Sequence, residues 1–458
     1  MSSSAKTLTT AFFYVALVIA AVVAFLFISS RGETLIAPPP AVDEISRAVS
    51  AASSSILTHL LLALAAVVAV GRLLGRLFTE IGQPPIIGEV LGGILLGPSF
   101  LGMISMDAYH FILPANVAPY LGIVGQLGVI IYMFLVGLEL DAGFLRGRVN
   151  STIATSHASI VLPFVLGAGL ALYLYPRFST SNIPFTNFAL FMGLAMSITA
   201  FPVLARILSD TGMTRTELGT IALTCAAVDD VTAWCLLAFV VGVVQTSANS
   251  ALLVAALTLG FIGFMFIVVR PLAGRLIRKS EGREPSKGTI ALIVVLLLAS
   301  ALTTEAIGIH AIFGAFLFGA VIPHSSNIAR SLRESLENLV TILLLPAFFA
   351  FTGMRTEIGL VSGTREWLVC GLIILVATLG KFGGSFLAGR LTGLSWRHSA
   401  GLGVLMNTRG LMELIVLNVG FELGVISSTL YTMMVLMALV TTIATTPILH
   451  RLVLKASR

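Results

Sequence analysis

Apolar runs of about twenty residues recur from one end of this chain to the other, and that recurrence decides its fold class. Inside hydrocarbon every backbone N–H and C=O must be paired internally, so only helices and closed barrels span a bilayer. Runs of this length suit helices. They fall at 11–28, 55–74, 84–97, 120–138, 152–174, 187–208, 218–243, 250–270, 289–306, 309–322, 339–353, 367–389, 399–420 and 428–448. Only 10% of the 458 residues are charged, whereas a soluble domain is nearer a quarter. The reading is an all-α polytopic membrane protein with the lipid bilayer as its solvent. Its net charge of +6 is ordinary for a protein whose cytoplasmic loops collect Lys and Arg, and gives no reason to invoke nucleic acid. Cys225, Cys235 and Cys370 all lie in apolar segments without metal-ligand spacing, so they read as packing residues, and no cofactor is implied.

The first run is set apart by a loop containing Ala37 and Pro38–Pro40. Residues 1–54 therefore read as a hydrophobic span, either a signal anchor or a signal peptide, followed by a loop. Residues 55–450 read as one transmembrane domain and 451–458 as a short tail. Alternating the loops between the two sides places 20 of the 27 Lys and Arg on one face and five on the other. By the positive-inside rule the C-terminus is cytoplasmic, and the membrane is expected to be the plasma or inner membrane. Without the first run, the core has about 13 helices.

Two adjacent acids interrupt the run 218–243. Asp229 and Asp230 each carry a cost of about 2.5–3.5 kcal/mol at the centre of a membrane helix, and each disfavours ionisation of the other. Such a pair is expected to hold something positive, a proton or a small cation. They stand about 100° apart around a helix, so at most one points squarely into a narrow site. Lys381 lies mid-span in 367–389, where a buried ammonium wants a carboxylate. Pairing it with Asp229 leaves Asp230 to take the cation. Arg409 and Glu413 are four apart, on one helix face, and read as a structural or modulatory ion pair. Ser197 and Thr199 precede Pro202, which frees a carbonyl one turn upstream; their oxygens suit a hard monovalent cation or ordinary helix–helix bonding. Glu89, after Pro84-Pro85, lines an entry funnel or is simply solvated.

The two halves of the chain echo each other. Gly88–Pro98 parallels Gly314–Pro323, and Phe134–Asp141 parallels Phe349–Glu357. Each half then carries an interrupted helix, at Ser197–Pro202 and at Asn407–Gly410. By the inferred orientation the matching runs point in opposite directions. Inverted repeats with paired discontinuous helices are a secondary-transporter signature, with the binding site where the broken helices meet.

Taken together, Gly82–Pro98, Phe134–Asp141, Ser197–Leu204, Ala226–Trp234, Gly308–Gly319 and Asn407–Ile415 resemble the second subfamily of the monovalent cation:proton antiporter superfamily. That group includes bacterial sodium/proton antiporters, potassium efflux systems and plant cation/proton exchangers, and the plant type is especially similar. The resemblance covers about residues 55–450. It implies an elevator-type homodimer with a dimerisation domain and a mobile core holding two crossed, broken helices. It matches Asp230 to the aspartate that binds cation and proton, Asp229 to the second acid of the electrogenic branch, and Lys381 to the lysine that pairs with it. The expected function is exchange of Na+ or K+ for H+ by alternating access, with the monovalent cation at Asp230. One alternative is a channel-like potassium efflux system, weakened because no Gly-x-Gly-x-x-Gly follows a strand in these residues. The other is an intramembrane aspartyl protease, whose two acids would have to face each other from separate helices.

Overall fold

The computed structural model describes residues 3–33, 35, 56–139, 149–180, 183–214, 216–245, 248–279, 285–323 and 326–454. The Ala37–Pro40 loop, Asp141 and the tail from Lys455 lie outside them. Every regular element among the described residues is helical. The first half runs α1 (Ser3–Gly32), α2 (Ile56–Glu80), α3 (Pro85–Leu96), α4 (Leu101–Ile104), α5 (Met106–Ile112) and α6 (Ala118–Glu139). It continues with α7 (Val149–Phe178), α8 (Phe185–Ser197), α9 (Phe201–Asp210) and α10 (Glu217–Gln245). The second half runs α11 (Ala248–Phe264), α12 (Arg270–Lys279), α13 (Lys287–Ile307), α14 (Ala311–Val321), α15 (Asn327–Leu339) and α16 (Leu345–Arg355). It closes with α17 (Thr364–Leu391), α18 (Trp396–Met406), α19 (Leu411–Glu422) and α20 (Ser428–Leu449).

Among the described residues, 11 stretches are long and apolar enough to cross a bilayer. The pair α18–α19, bent by 44° at its break, makes a twelfth. This is fewer than the run count suggests, and α14 shows why. It has 11 residues, a rise of about 16 Å at 1.5 Å per residue, roughly half the hydrocarbon thickness. Pro323 follows it and His310 caps its start, so the apolar pattern at 309–322 overstates the helix.

Prolines decide where several helices yield. Pro202 sits in the first turn of α9, where its missing N–H matters least. The preceding Ile198–Ala200 is extended rather than helical. Pro271 and Pro346 have no N–H to offer the carbonyls of Ile267 and Ile342. In both places the helix widens into a π turn, at Met265–Val269 and at Val340–Leu344, which absorbs the lost bond.

Packing sorts the helices into two groups. In one, α3 and α14 lie against α16 and α6 respectively, α2 covers α3, and α13 covers α14. In the other, α7 packs on α8, α10 and α17, while α17 packs on α18 and α20. The first group is held by glycines at reciprocal positions. A Cβ on Gly93 would stand 2.2 Å from the Phe349 carbonyl, and one on Gly353 would stand 2.1 Å from the Gly93 carbonyl carbon. Across the other crossing, a Cβ on Gly137 would stand 2.2 Å from the Phe316 carbonyl and one on Gly319 equally close to that of Phe134. Backbone meets backbone at both sites, as small residues permit in membranes. Helix α1 lies against α7 and α8, with the Ser29 and Thr186 hydroxyls 2.8 Å apart and the Phe25 and Phe164 rings 5.9 Å apart.

Gly319→Leu should destabilise the protein by about 1–3 kcal/mol, the usual range for overpacking. Thermal unfolding in detergent measures this, and a wild-type transition would show that the crossing has room to spare.

Candidate functional site

Asp229 and Asp230 are both buried on α10, yet their surroundings differ completely. Asp229 is saturated with donors. Its Oδ1 accepts from the Ser156 hydroxyl. Its Oδ2 accepts from Ser159 Oγ at 2.9 Å, Thr199 Oγ1 at 3.0 Å and Lys381 Nζ at 2.8 Å. A carboxylate with this many donors is held in place as a fixed negative charge. Neither oxygen of Asp230 has a hydrogen-bond partner. The Phe201 amide, at the first residue of α9 where helix N–H groups are unsatisfied, is a backbone donor that acts on its carboxylate. An unpaired carboxylate at 1% exposure is costly unless a proton or cation joins it.

The two helix breaks are stitched to each other beside these acids. The Ala200 amide donates to the Thr408 carbonyl at 3.0 Å, and Thr199 Oγ1 also reaches the Met406 carbonyl at 3.1 Å. Gly410 lets the second break approach the first, since a Cβ there would meet Val203 Cγ2 at 2.7 Å. Because α8 stops within the apolar interior, its final carbonyls need partners. Two buried cations supply them. Arg409 donates through Nη1 to the Ala195 carbonyl at 2.8 Å and through Nη2 to that of Met196 at 2.7 Å. Lys381 Nζ donates to the Ser197 carbonyl at 2.6 Å. Positive charge at a helix C-terminus is favoured by the helix dipole as well.

Arg409 also pairs with Glu413 at 2.8 Å, both wholly buried. Its backbone is fixed by Thr442 of α20, whose hydroxyl faces the Arg409 amide at 3.1 Å and carbonyl at 2.7 Å. Lys381 is placed by close contact of α17 with α7. A Cβ on Gly380 would stand 2.8 Å from Pro163 Cα, and one on Gly384 would stand 2.7 Å from the Ala158 carbonyl. With every group ionised, Asp229, Asp230 and Glu413 oppose Lys381 and Arg409, leaving one unbalanced negative charge. One proton or one monovalent cation would neutralise it.

The structure thus brings Asp229, Asp230, Lys381, Thr199, Ser197, Arg409 and Glu413 into one region. Ser197 stands differently from Thr199. Its hydroxyl faces the carbonyls of Gly193 at 2.7 Å and Ile160 at 3.0 Å, so both of its oxygens are engaged away from Asp230. Glu89 is not among the hydrogen-bonded residues of this region. It lies half-buried on α3, its Cγ close to where Cβ atoms on Gly71 and Gly75 of α2 would stand. Sequence reasoning missed Ser156 and Ser159, although two serines three apart on one helix face were a usable signal. It also missed the buried, unpartnered Asn407 Oδ1 and Trp234 Nε1. Trp234 is one turn beyond Asp230 on the same face of α10, and its ring lies 6.3 Å from that of Phe316 on α14. The Asp230 face therefore turns toward the first helix group.

Two broken helices, stitched together around buried, nearly balanced charge, define a membrane carrier of the ion-coupled class. The comparisons with known proteins agree. The family model for the transmembrane part of sodium/hydrogen exchangers matches residues 62–455, and the chain belongs to that family within the cation/proton antiporter superfamily. It is a secondary active transporter, not an enzyme. It is 44% identical over 389 residues to the Na(+)/H(+) antiporter NhaS4 of Synechocystis sp., covering 84% of this chain and 95% of that one. It is 38% identical to cation/H(+) antiporter 20 of Arabidopsis thaliana, covering 84% of this chain and 47% of that one. For K(+)/H(+) antiporter 1 of Saccharomyces cerevisiae the identity is 33%, with coverage of 86% and 46%. The chain thus spans about half the length of these plant and yeast relatives. The sodium/proton antiporter MjNhaP1 of Methanocaldococcus jannaschii shares the fold, with a TM-score of 0.63 at 16% identity over 86% of this chain and 96% of that one.

Lys381→Met should destabilise the protein by about 3–5 kcal/mol, because it strands a buried carboxylate. Adding Asp229→Asn should recover most of that loss. Equilibrium unfolding of both variants in detergent tests the pairing, and additive losses would contradict it.

Proposed function

We propose that the protein exchanges Na+ or K+ for protons by alternating access, with Asp230 as the seat shared by cation and proton. The observation that carries this reading is the bare, buried Asp230 carboxylate beside a donor-saturated Asp229. A fixed charge needs donors, whereas a carrier needs vacant lone pairs. Asp229 meets the first requirement and Asp230 the second. The names of the cyanobacterial, plant and yeast relatives, which cover Na(+), K(+) and unspecified cations, support the substrate class without choosing the ion.

The architecture behind the reading is about 13 core helices in two inverted repeats, with α8–α9 and α18–α19 crossing at their breaks and α1 as an extra span. The reciprocal glycine contacts support it, because each half contributes α3 or α14 to the other half's α16 or α6. The two helix groups are then the parts that move relative to one another, and Asp230, turned toward the first group, lies where access would switch. Homodimerisation through that first group, residues 55–450 as the transport unit, a cytoplasmic C-terminus and residence in the plasma or inner membrane belong to the same reading. They rest on the resemblance and the Lys/Arg distribution.

In proteoliposomes carrying an imposed pH gradient, wild-type protein should dissipate the gradient when Na+ or K+ is added. Asp230→Asn should reduce that rate by about two orders of magnitude or more, since it removes the unpartnered carboxylate that the cation would neutralise. Normal exchange by Asp230→Asn would sink the mechanism. Cation flux down its own gradient without proton movement would favour the channel-like alternative.

A further inference from the structure

At one end of the molecule the two helix groups meet through polar side chains. Arg355 ends α16 of the first group, and α19, which packs on α8 and α20, belongs to the second. Arg355 Nη1 donates to Glu422 Oε1 and to Asn418 Oδ1, both at 3.0 Å. Its guanidinium lies 3.9 Å from the centre of the Phe351 ring in the first group and 5.3 Å from that of Phe421 in the second. Gln126 Nε2 of α6 stands 3.3 Å from each Glu422 oxygen. Asn418 Nδ2 donates to Thr352 Oγ1 at 2.9 Å, and its Oδ1 also accepts from the Tyr431 hydroxyl of α20 at 3.3 Å. An isolated exposed ion pair contributes little, but Arg355 and Glu422 are only 22% and 31% exposed and belong to a network.

This cluster adjoins the side of α10 that carries Asp230. A cavity of about 120 Å3 lies between the groups, lined by Glu305 and His310 from the first and by Val241, Val419 and Glu422 from the second. Val241 follows Asp230 on α10 by about three turns, a rise of about 16 Å and a net rotation of roughly 20°. Both therefore stand on one face of the helix, and Trp234 lies between them on that face, against Phe316. A single membrane span, Ser428–Leu452, separates Glu422 from the C-terminus, so the cluster and its cavity belong to the opposite side of the membrane. We propose that Arg355, Glu422 and Asn418 form a latch that shuts the route between Asp230 and the face opposite the C-terminus. The latch parts each time the carrier turns to that face, an inference that rests on the exchange reading above. Parting exposes two charges and the buried Asn418 amide to water, which the adjoining polar cavity has room to admit. Removing one charge-assisted bond should favour the open form about tenfold.

Ile415, 1% exposed on α19 between the break and the latch, lines a small void beside Asn418, Ile312 and Phe348 and serves as the reporter. In sealed vesicles, the thiol introduced by Ile415→Cys is exposed to a membrane-impermeant thiosulfonate from one side at a time, and site-resolved mass spectrometry follows its modification. Reagent on the face opposite the C-terminus should modify it slowly with the latch intact, and about tenfold faster after Glu422→Gln or Arg355→Gln. Either variant suffices if the other misfolds. Reagent on the C-terminal face should show no such rise, whereas a general loosening of the fold would raise both. Equal rates with and without the latch residues, or a rise from both faces, would overturn the proposal. Cation-driven proton flux in the same vesicles separates the two readings. Its absence in wild-type protein counts against exchange, while unaltered labelling counts against the latch whatever the flux.

Discussion

A helix that ends inside hydrocarbon must find partners for its last carbonyls, and α8 finds them in two buried cations. Arg409 takes the carbonyls of Ala195 and Met196, and Lys381 takes that of Ser197. Everything else in the charged region follows from this. Each cation needs an acid close by, because an unpaired buried charge costs several kcal/mol. Glu413 serves Arg409 and Asp229 serves Lys381. The second break then has to lie against the first, and the Ala200–Thr408 backbone bond and Gly410 make that approach possible.

The same constraint separates two residues that look identical in the sequence. Asp229 is committed to the cation that caps α8 and to the hydroxyls of α7 and Thr199. Asp230, about 100° further round the helix, meets neither and keeps its lone pairs vacant. Its face of α10 looks across to Phe316 and the first helix group through Trp234. The region carries one excess negative charge when all groups are ionised. In the proposed mechanism, that imbalance is what either a proton or a monovalent cation would neutralise.

Much of this was legible in the residues. Lys381 stood out because an ammonium in mid-span demands an explanation, and Arg409 with Glu413 because of their four-residue spacing, although Arg409 itself lies in the break before α19 rather than on that helix. The broken helices announced themselves through Pro202 and the Asn407–Gly410 segment. What could not be read is the division of partners. Ser156, Ser159 and Thr442 look like ordinary hydroxyls in apolar runs until helices from distant parts of the chain are packed together. Ser197 and Thr199 are two residues apart, yet only Thr199 turns its hydroxyl to Asp229. That difference depends on the extended backbone at Ile198–Ala200, which no periodicity specifies. The length of α14 was overstated for a similar reason: hydropathy records which residues are apolar, not where His310 and Pro323 end the helix.

The central claim is that one carboxylate, Asp230, serves cation and proton in turn. Calorimetric titration of purified protein with Na+ or K+, repeated in buffers of different ionisation enthalpy, counts the protons released per cation bound. The account predicts proton release coupled to binding in the wild-type protein and neither binding nor release in Asp230→Asn. Cation binding that persists in Asp230→Asn, or binding by the wild-type protein with no proton released at any pH, would contradict it.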